Sequence, residues 1–102
     1  MIDKFKDIET KFQDVERRMS DPEVIADQTK YQALVREHTQ LKDIVETYQI
    51  YSKITKEIID TEELLNEPDM KEVAEEEIKS LSQKKEQLEE KLHLFLIPSD
   101  PD

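Results

Sequence analysis

The residues of this chain best suited to chemistry are a glutamate and a histidine three positions apart, Glu90 and His93. Bundles that hold two iron ions use such pairs as ligands, because the spacing puts both side chains on one helix face. A di-iron site also needs a second pair and two further inward carboxylates. The other histidine, His38, has Val35 at the matching position, so the second pair is missing. We therefore predict that the chain holds no metal and no cofactor.

Other kinds of catalytic or nucleotide-binding site are also missing from the sequence. The chain has no cysteine, which excludes disulfides, thiol chemistry and cysteine–histidine zinc sites. It has no glycine, which excludes glycine-rich phosphate loops, dinucleotide fingerprints and EF-hand loops. His38 falls on an apolar helix stripe and is expected to be a seam residue with one nitrogen facing solvent or a carbonyl. We predict no catalytic residue and no enzyme activity for this chain.

The composition favours thin helical packing over a thick globular core. Charged residues make up 40% of the 102 residues and apolar residues 35%, against a typical charged fraction of about 25%. Such a chain can bury one narrow stripe per helix, as bundles and coiled coils do. Disorder is the competing interpretation of the net charge of −11. The regular spacing of the apolar residues favours helices.

The charge and hydropathy patterns also limit the partners. An acidic chain lacks the basic footprint that DNA and RNA binding needs, so we predict no direct, sequence-specific nucleic-acid contact. The longest apolar run, Leu94-Phe95-Leu96-Ile97, is too short to span a membrane, which takes about 20 residues. The first residues include Asp3 and Asp7 and no apolar signal core. We therefore expect a cytoplasmic protein with no membrane partner.

Three helices are predicted from apolar residues that recur every three or four positions. The first covers Ile2–Met19, the longest covers 27–65, and the third covers 69–95. Pro22 and Pro68 mark the two breaks between them, because proline cannot continue a helix but suits the first turn of a new one. We expect Ser20 or Asp21 to cap the turn at the first break and Asp27 to cap the long helix. Asn66 or Glu67 is expected to cap the third.

Short connections make consecutive helices antiparallel, which sets the predicted fold. The fold class is all-α: a long antiparallel helical hairpin, coiled-coil-like, with the shorter first helix packed at its base as a three-helix bundle. The hairpin tip falls at 66–69, where Asn66, Glu67 and Asp69 are the candidate partner contacts. The expected base core is Phe5, Phe12, Leu34, Leu41, Leu88 and Leu92. The expected arm core is Ile54, Ile58, Leu65, Met70, Ile78 and Leu81. The apolar stripe of the third helix also includes Val73 or Ala74.

The last residues lose the helical period and contain two prolines. We therefore predict a helical domain at 1–95 and an extended linker at 96–102, leading toward a downstream domain missing from this chain.

An ordered set of short motifs runs through the whole sequence. Its members are Ser20-Asp21-Pro22-Glu23, Ile25-Ala26-Asp27, Leu34, Arg36-Glu37, Leu41, Val45, Glu63-Leu64-Leu65, Pro68-Asp69-Met70, Ala74, Glu76-Glu77-Ile78 and Leu96-Ile97-Pro98-Ser99-Asp100-Pro101-Asp102. On these residues the chain resembles the N-terminal domain of bacterial peptide chain release factors of type 1, which read UAA and UAG stop codons.

The resemblance implies a docking role without the family's chemistry. Release factors hydrolyse peptidyl-tRNA with a Gly-Gly-Gln tripeptide, which a chain without glycine cannot hold. Their codon-reading Pro-x-Thr-type tripeptide is also missing, since no proline here has threonine two residues on. In the family, this domain reaches the stalk base of the large ribosomal subunit and is thought to communicate with the release-factor GTPase.

A structural role is the alternative interpretation of the same helix pattern. A three-helix scaffold module of spectrin-repeat type, or a chaperone-like helical hairpin, would suit the length and the number of helices. The absence of tryptophan, the unequal helix lengths and the Asp-Pro ending argue against that class.

Overall fold

The structure, a computed structural model, describes residues 2–97 and is all-α, as the sequence predicts. The long helix is present, and other helices pack against it. A single 3₁₀ turn follows the long helix. The elements are α1 (Ile2–Met19), α2 (Pro22–Ala26), α3 (Gln28–Glu62), the 3₁₀ turn (Glu63–Asn66) and α4 (Lys71–Phe95). None of the described helices is long and apolar enough to cross a membrane.

The chain divides into two compact units, Met1–Glu46 and Thr47–Asp102. The helix α3 contributes its first part to one unit and its second part to the other.

In the first unit, α1 packs against the first part of α3. The Lys11 ammonium lies 3.0 Å from the Glu37 carboxylate. One residue further along each helix, the rings of Phe12 and His38 stack with their centroids 4.5 Å apart. The short α2 connection makes the two helices antiparallel. The buried apolar side chains of this unit are Phe5, Val15, Leu34 and Val45.

Two aspartates cap the amino-terminal ends of α2 and α3, as predicted. The carboxylate of Asp21 accepts a hydrogen bond of 3.0 Å from the Glu23 amide, and Pro22 occupies the first turn of α2. The carboxylate of Asp27 accepts one of 3.2 Å from the Lys30 amide at the start of α3. Each cap satisfies an amide that has no partner within its own helix.

In the second unit, the rest of α3 and α4 form the predicted antiparallel hairpin. The Tyr51 hydroxyl on α3 donates a hydrogen bond of 3.3 Å to Glu89 near the end of α4, while the 3₁₀ turn contacts the beginning of α4. The buried apolar residues of this unit are Tyr48, Ile54, Ala74, Leu81 and Leu92.

The predicted start of the last helix is wrong. Neither Asn66 nor Glu67 caps α4, because Asn66 ends the 3₁₀ turn and the Glu67 amide closes it on the Leu64 carbonyl. Met70 is the N-cap residue, just before the first helical residue Lys71, and its side chain makes no capping hydrogen bond. Met70 is 38% exposed, so the prediction that it belongs to the core is wrong.

The seam position near the start of α4 belongs to Ala74, which is 1% exposed, while Val73 is 60% exposed. The small methyl group of Ala74 leaves room for the helices to approach closely where the hairpin turns.

The predicted linker at 96–102 lies outside the described residues except for Leu96 and Ile97. The Leu96 amide closes the end of α4 on the His93 carbonyl. The boundary at residue 95 and the linker itself stay predictions.

Candidate docking surface at the hairpin tip

The hairpin tip is a short turn, held by backbone hydrogen bonds, that exposes three polar side chains. The Glu67 amide donates to the Leu64 carbonyl at 3.1 Å, and the Met70 amide donates to the Glu67 carbonyl at 3.0 Å. These two bonds turn the chain from the 3₁₀ turn into α4. Asn66, Glu67 and Asp69 are all exposed there. The structure thus brings the three predicted contact residues together, and their contact with a partner stays a prediction.

The hairpin tip and the residues on either side of it form the most acidic part of the described chain. Residues 62–77 hold eight carboxylates and one lysine, Lys71, and all nine of these side chains are exposed. The sequence alone predicts this excess, because the first turns of α4 hold four glutamates. Exposed carboxylates of one sign produce a field that attracts a cationic surface and repels nucleic-acid phosphates.

The contact between Tyr51 and Glu89 fixes the alignment of the two helices behind the tip. Burial raises the pKa of the Tyr51 hydroxyl above its usual value, and the neighbouring carboxylate raises it further through its charge and its hydrogen bond. A smaller opposing effect comes from the Thr55 hydroxyl, which lowers the pKa. The neutral phenol is therefore the form that the folded protein favours.

Replacing Glu89 by glutamine should lower the pH at which Tyr51 ionises, because the variant loses the negative charge that opposes the phenolate. The pKa of Tyr51 is raised on folding, so its contribution to stability is complete below the unfolded pKa of about 10. That contribution disappears as the pH rises through the folded pKa. The absorbance of the phenolate measures the titration, with Tyr51→Phe as the background in each case. If Tyr51 titrated at the same pH in the unaltered chain and in the Glu89→Gln variant, the contact between Tyr51 and Glu89 would be contradicted.

His38 lies in the seam of the first unit and has no catalytic neighbours. Its ring stacks on Phe12, and its Nε2 atom lies 3.2 Å from a carboxylate oxygen of Glu16. The seam position agrees with the prediction, and the Nε2 atom meets a carboxylate on another helix. The ring is therefore used for packing and its Nε2 atom for a polar contact, which is a structural role.

The other candidate for chemistry, Glu90 and His93, stands on the exposed side of α4. Within residues 2–97, no three histidine or carboxylate side chains come close enough together to hold a metal ion.

Sequence reasoning missed one surface of the second unit. It placed Ile54 and Leu88 in the core. In the structure these residues line a groove with Ile50, which lies outside the predicted stripe and is 52% exposed. The signal that could have revealed the groove is the isoleucine four positions before Ile54, on the same face of α3.

Comparisons with known proteins assign the family. The model of the PCRF domain matches residues 8–102 of this chain. Peptide chain release factor 1 of Carboxydothermus hydrogenoformans is 41% identical over 105 residues, which cover 100% of this chain and 29% of that protein. The same factor of Geobacter metallireducens is 41% identical over 102 residues, with the same coverage. That of Chlorobaculum tepidum is 37% identical over 104 residues, covering 98% of this chain and 29% of the relative.

This chain spans less than a third of the length of these relatives. The comparisons confirm the resemblance that the sequence motifs indicate. Because the domain model matches nearly every residue from the first helix onward, the chain belongs to the PCRF domain family and is similar to one segment of bacterial peptide chain release factor 1.

Proposed function

We propose that this chain is the ribosome-docking domain of a class I peptide chain release factor and acts in translation termination in the cytoplasm. The observation that carries the proposal is the match of the whole chain to release factor 1 from several bacteria. The domain supplies no chemistry of its own in this proposal. Codon reading and hydrolysis of peptidyl-tRNA belong to parts of the factor that carry the glycine and threonine motifs missing here.

The surface that docks in this proposal is the hairpin tip, with Asn66, Glu67 and Asp69 in contact with the ribosome. Its partner is the protein component at the stalk base of the large subunit. Ribosomal proteins that bind RNA are basic, so the exposed carboxylates of residues 62–77 give the tip a complementary charge. The release-factor GTPase is the second proposed partner of this domain. The domain itself makes no sequence-specific contact with nucleic acid.

Reversing two charges at the tip should weaken binding to isolated large ribosomal subunits. The variant Glu67→Lys/Asp69→Lys turns attraction to a basic surface into repulsion, so we expect at least a tenfold loss of affinity, or about 1.4 kcal/mol. Binding of the unaltered chain should also weaken as salt is added, because exposed charges are screened. Sedimentation of the chain with large subunits measures both effects.

The matched control is Glu86→Lys/Glu90→Lys, which makes the same change in net charge at exposed positions of α4 away from the tip. This control should retain most of the affinity. An equal loss in both variants would show that only the total charge matters, and no loss at the tip would place the contact elsewhere. Either result contradicts the proposed docking surface.

A further inference from the structure

Two apolar side chains lie exposed next to the hairpin tip, among its carboxylates. Val73 is 60% exposed and Met70 is 38% exposed. They are three residues apart where α4 begins, and the Ala74 amide already donates a helical hydrogen bond of 2.8 Å to the Met70 carbonyl. Residues three apart on a helix are neighbours on its surface, so Met70 and Val73 together form one apolar patch.

The hairpin does not need the apolar patch for its own packing. Ala74 takes the seam position with 1% exposure, so Val73, one residue earlier, faces away from the seam. A β-branched side chain also lowers helix propensity slightly. Val73 therefore contributes neither burial nor helix stability to the fold.

Carboxylates stand on both sides of the apolar patch. Glu76 and Glu77 follow Val73 by three and four residues, which places one on each side of it along the helix surface. Both are exposed, and within residues 2–97 neither forms an ion pair. Residues 62–77 as a whole hold eight exposed carboxylates and one lysine.

These charges determine what can cover the apolar patch. A surface that packs on Val73 also comes within reach of Glu76 and Glu77, and removing a carboxylate from water without a cationic partner is unfavourable. The occupant must therefore carry cations on both sides of its own apolar residues. A second copy of this chain, with its net charge of −11, and the phosphates of RNA would be repelled. An apolar stripe with cations on both sides is typical of a basic amphipathic helix.

We propose that the apolar patch is the centre of the docking surface and binds a basic amphipathic helix of a partner protein. The apolar stripe of that helix packs on Val73 and Met70, and its lysines or arginines pair with Glu76 and Glu77. The inference rests on the proposed function, which assigns docking to the tip, and adds the kind of element that docks there. An apolar centre inside a charged rim is the usual arrangement of a protein–protein interface.

Two synthetic peptides of about 18 residues, long enough to form a helix, test the need for an apolar stripe. Both contain the same lysines and leucines. The leucines form one stripe in the first peptide and are scattered around the helix in the second. Fluorescence anisotropy with the intact chain measures both affinities, and the net charge of −11 attracts both peptides equally. The striped peptide should bind at least about tenfold more tightly. Equal affinities, or no binding of either peptide, would overturn the inference.

A glutamine at position 73 tests the location. Val73→Gln leaves the charge unchanged and does not lower helix propensity, and it should weaken the striped peptide about tenfold without affecting the scattered one. The control Leu94→Gln changes a residue that is 66% exposed near the other end of α4 and should alter neither affinity. Circular dichroism checks that both variants fold. An equal loss in the two variants, or no loss from Val73→Gln, would show that the peptide does not bind at the apolar patch.

A second pair of variants tests the cations on both sides of the stripe. Glu76→Gln/Glu77→Gln should weaken the striped peptide several-fold more than Glu86→Gln/Glu90→Gln does. The control removes the same charge at exposed positions further along α4. An equal loss in the two double variants would show that only the total charge matters and would contradict the proposed pairing.

Binding to large ribosomal subunits separates a failure of this inference from a failure of the proposed function. Val73→Gln should weaken sedimentation with the subunits about tenfold and leave its salt dependence unchanged, because the lost contact is apolar. If only Glu67→Lys/Asp69→Lys weakens binding, the tip docks by charge alone, so this inference is wrong and the proposed function stands. If neither variant weakens binding, both are wrong. Sedimentation equilibrium gives the last outcome: a dimer of the intact chain that Val73→Gln dissociates would show that a second copy covers the patch and would overturn the inference.

Discussion

Replacing Leu92 by aspartate should lower the melting temperature sharply, whereas the same change at Leu94 should leave it nearly unchanged. Leu92 is 0% exposed and Leu94 is 66% exposed, although they are two residues apart on α4. At the buried position the new carboxylate is removed from water, which costs about 4 kcal/mol or more. That is a large part of the roughly 5–15 kcal/mol that stabilises a typical domain.

Thermal unfolding followed by circular dichroism measures the difference between the two aspartate variants. A milder variant, Leu92→Ala, should lower the free energy of unfolding by about 2–5 kcal/mol through the cavity it leaves. It keeps the test informative if the aspartate variant does not fold at all. Equal melting temperatures for the aspartate variants would contradict the burial of Leu92 and the orientation of α4.

Replacing Gln49 by proline should destabilise the chain by about 3 kcal/mol or more. Gln49 is exposed on α3, three residues after the boundary between the two units, so the change removes no core contact. Its cost comes from the backbone, because proline removes one helical hydrogen bond and clashes with the carbonyl four residues earlier. The prediction depends only on α3 being one continuous helix from Gln28 to Glu62.

The control is Gln49→Ala, which keeps the backbone amide and should leave the stability unchanged or slightly higher. Urea unfolding of both variants gives the two free energies. If the proline variant were as stable as the alanine variant, the chain would have a break in its backbone near Gln49, and the long helix would be wrong.

The helices could be predicted from the sequence because their signals are local. The spacing of apolar residues in α1 gives its bounds, and Asp21 and Asp27 cap the helices that follow them through amides only two or three residues away. Proline at position 22 excludes the alternative of a continuous helix. Each of these signals acts within one turn, so no knowledge of distant contacts is needed.

The start of α4 could not be predicted in the same way, because two local signals conflict there. Asn66 is a good helix cap and Pro68 suits a first turn, yet the chain from α3 continues as a 3₁₀ turn through Asn66. The buried methyl group of Ala74 then sets which face of α4 meets the hairpin. Which of Val73 and Ala74 is buried depends on this tertiary contact and not on apolarity.

The candidate sites also differ in whether they depend on local signals or on contacts between residues distant in sequence. The acidic tip could be predicted, because its position needs only the break at Pro68 and the charges next to it. For the groove, the spacing of Ile50 and Ile54 indicates only the apolar face on α3. Its other side needs Leu88, which is 38 residues from Ile50 and becomes its neighbour only when α3 and α4 are aligned. The partner of His38 was also beyond sequence reasoning, since Glu16 lies on another helix.

A peptidyl-tRNA release assay tests the central claim most directly. It compares the chain alone with a chimera in which the chain replaces the matching segment of Carboxydothermus hydrogenoformans release factor 1. If the chain is a docking domain, it gives no release by itself, and the chimera releases peptide at stop codons but not at sense codons. Release by the chain alone, or a folded chimera that binds ribosomes no better than a factor lacking the segment, would contradict the account.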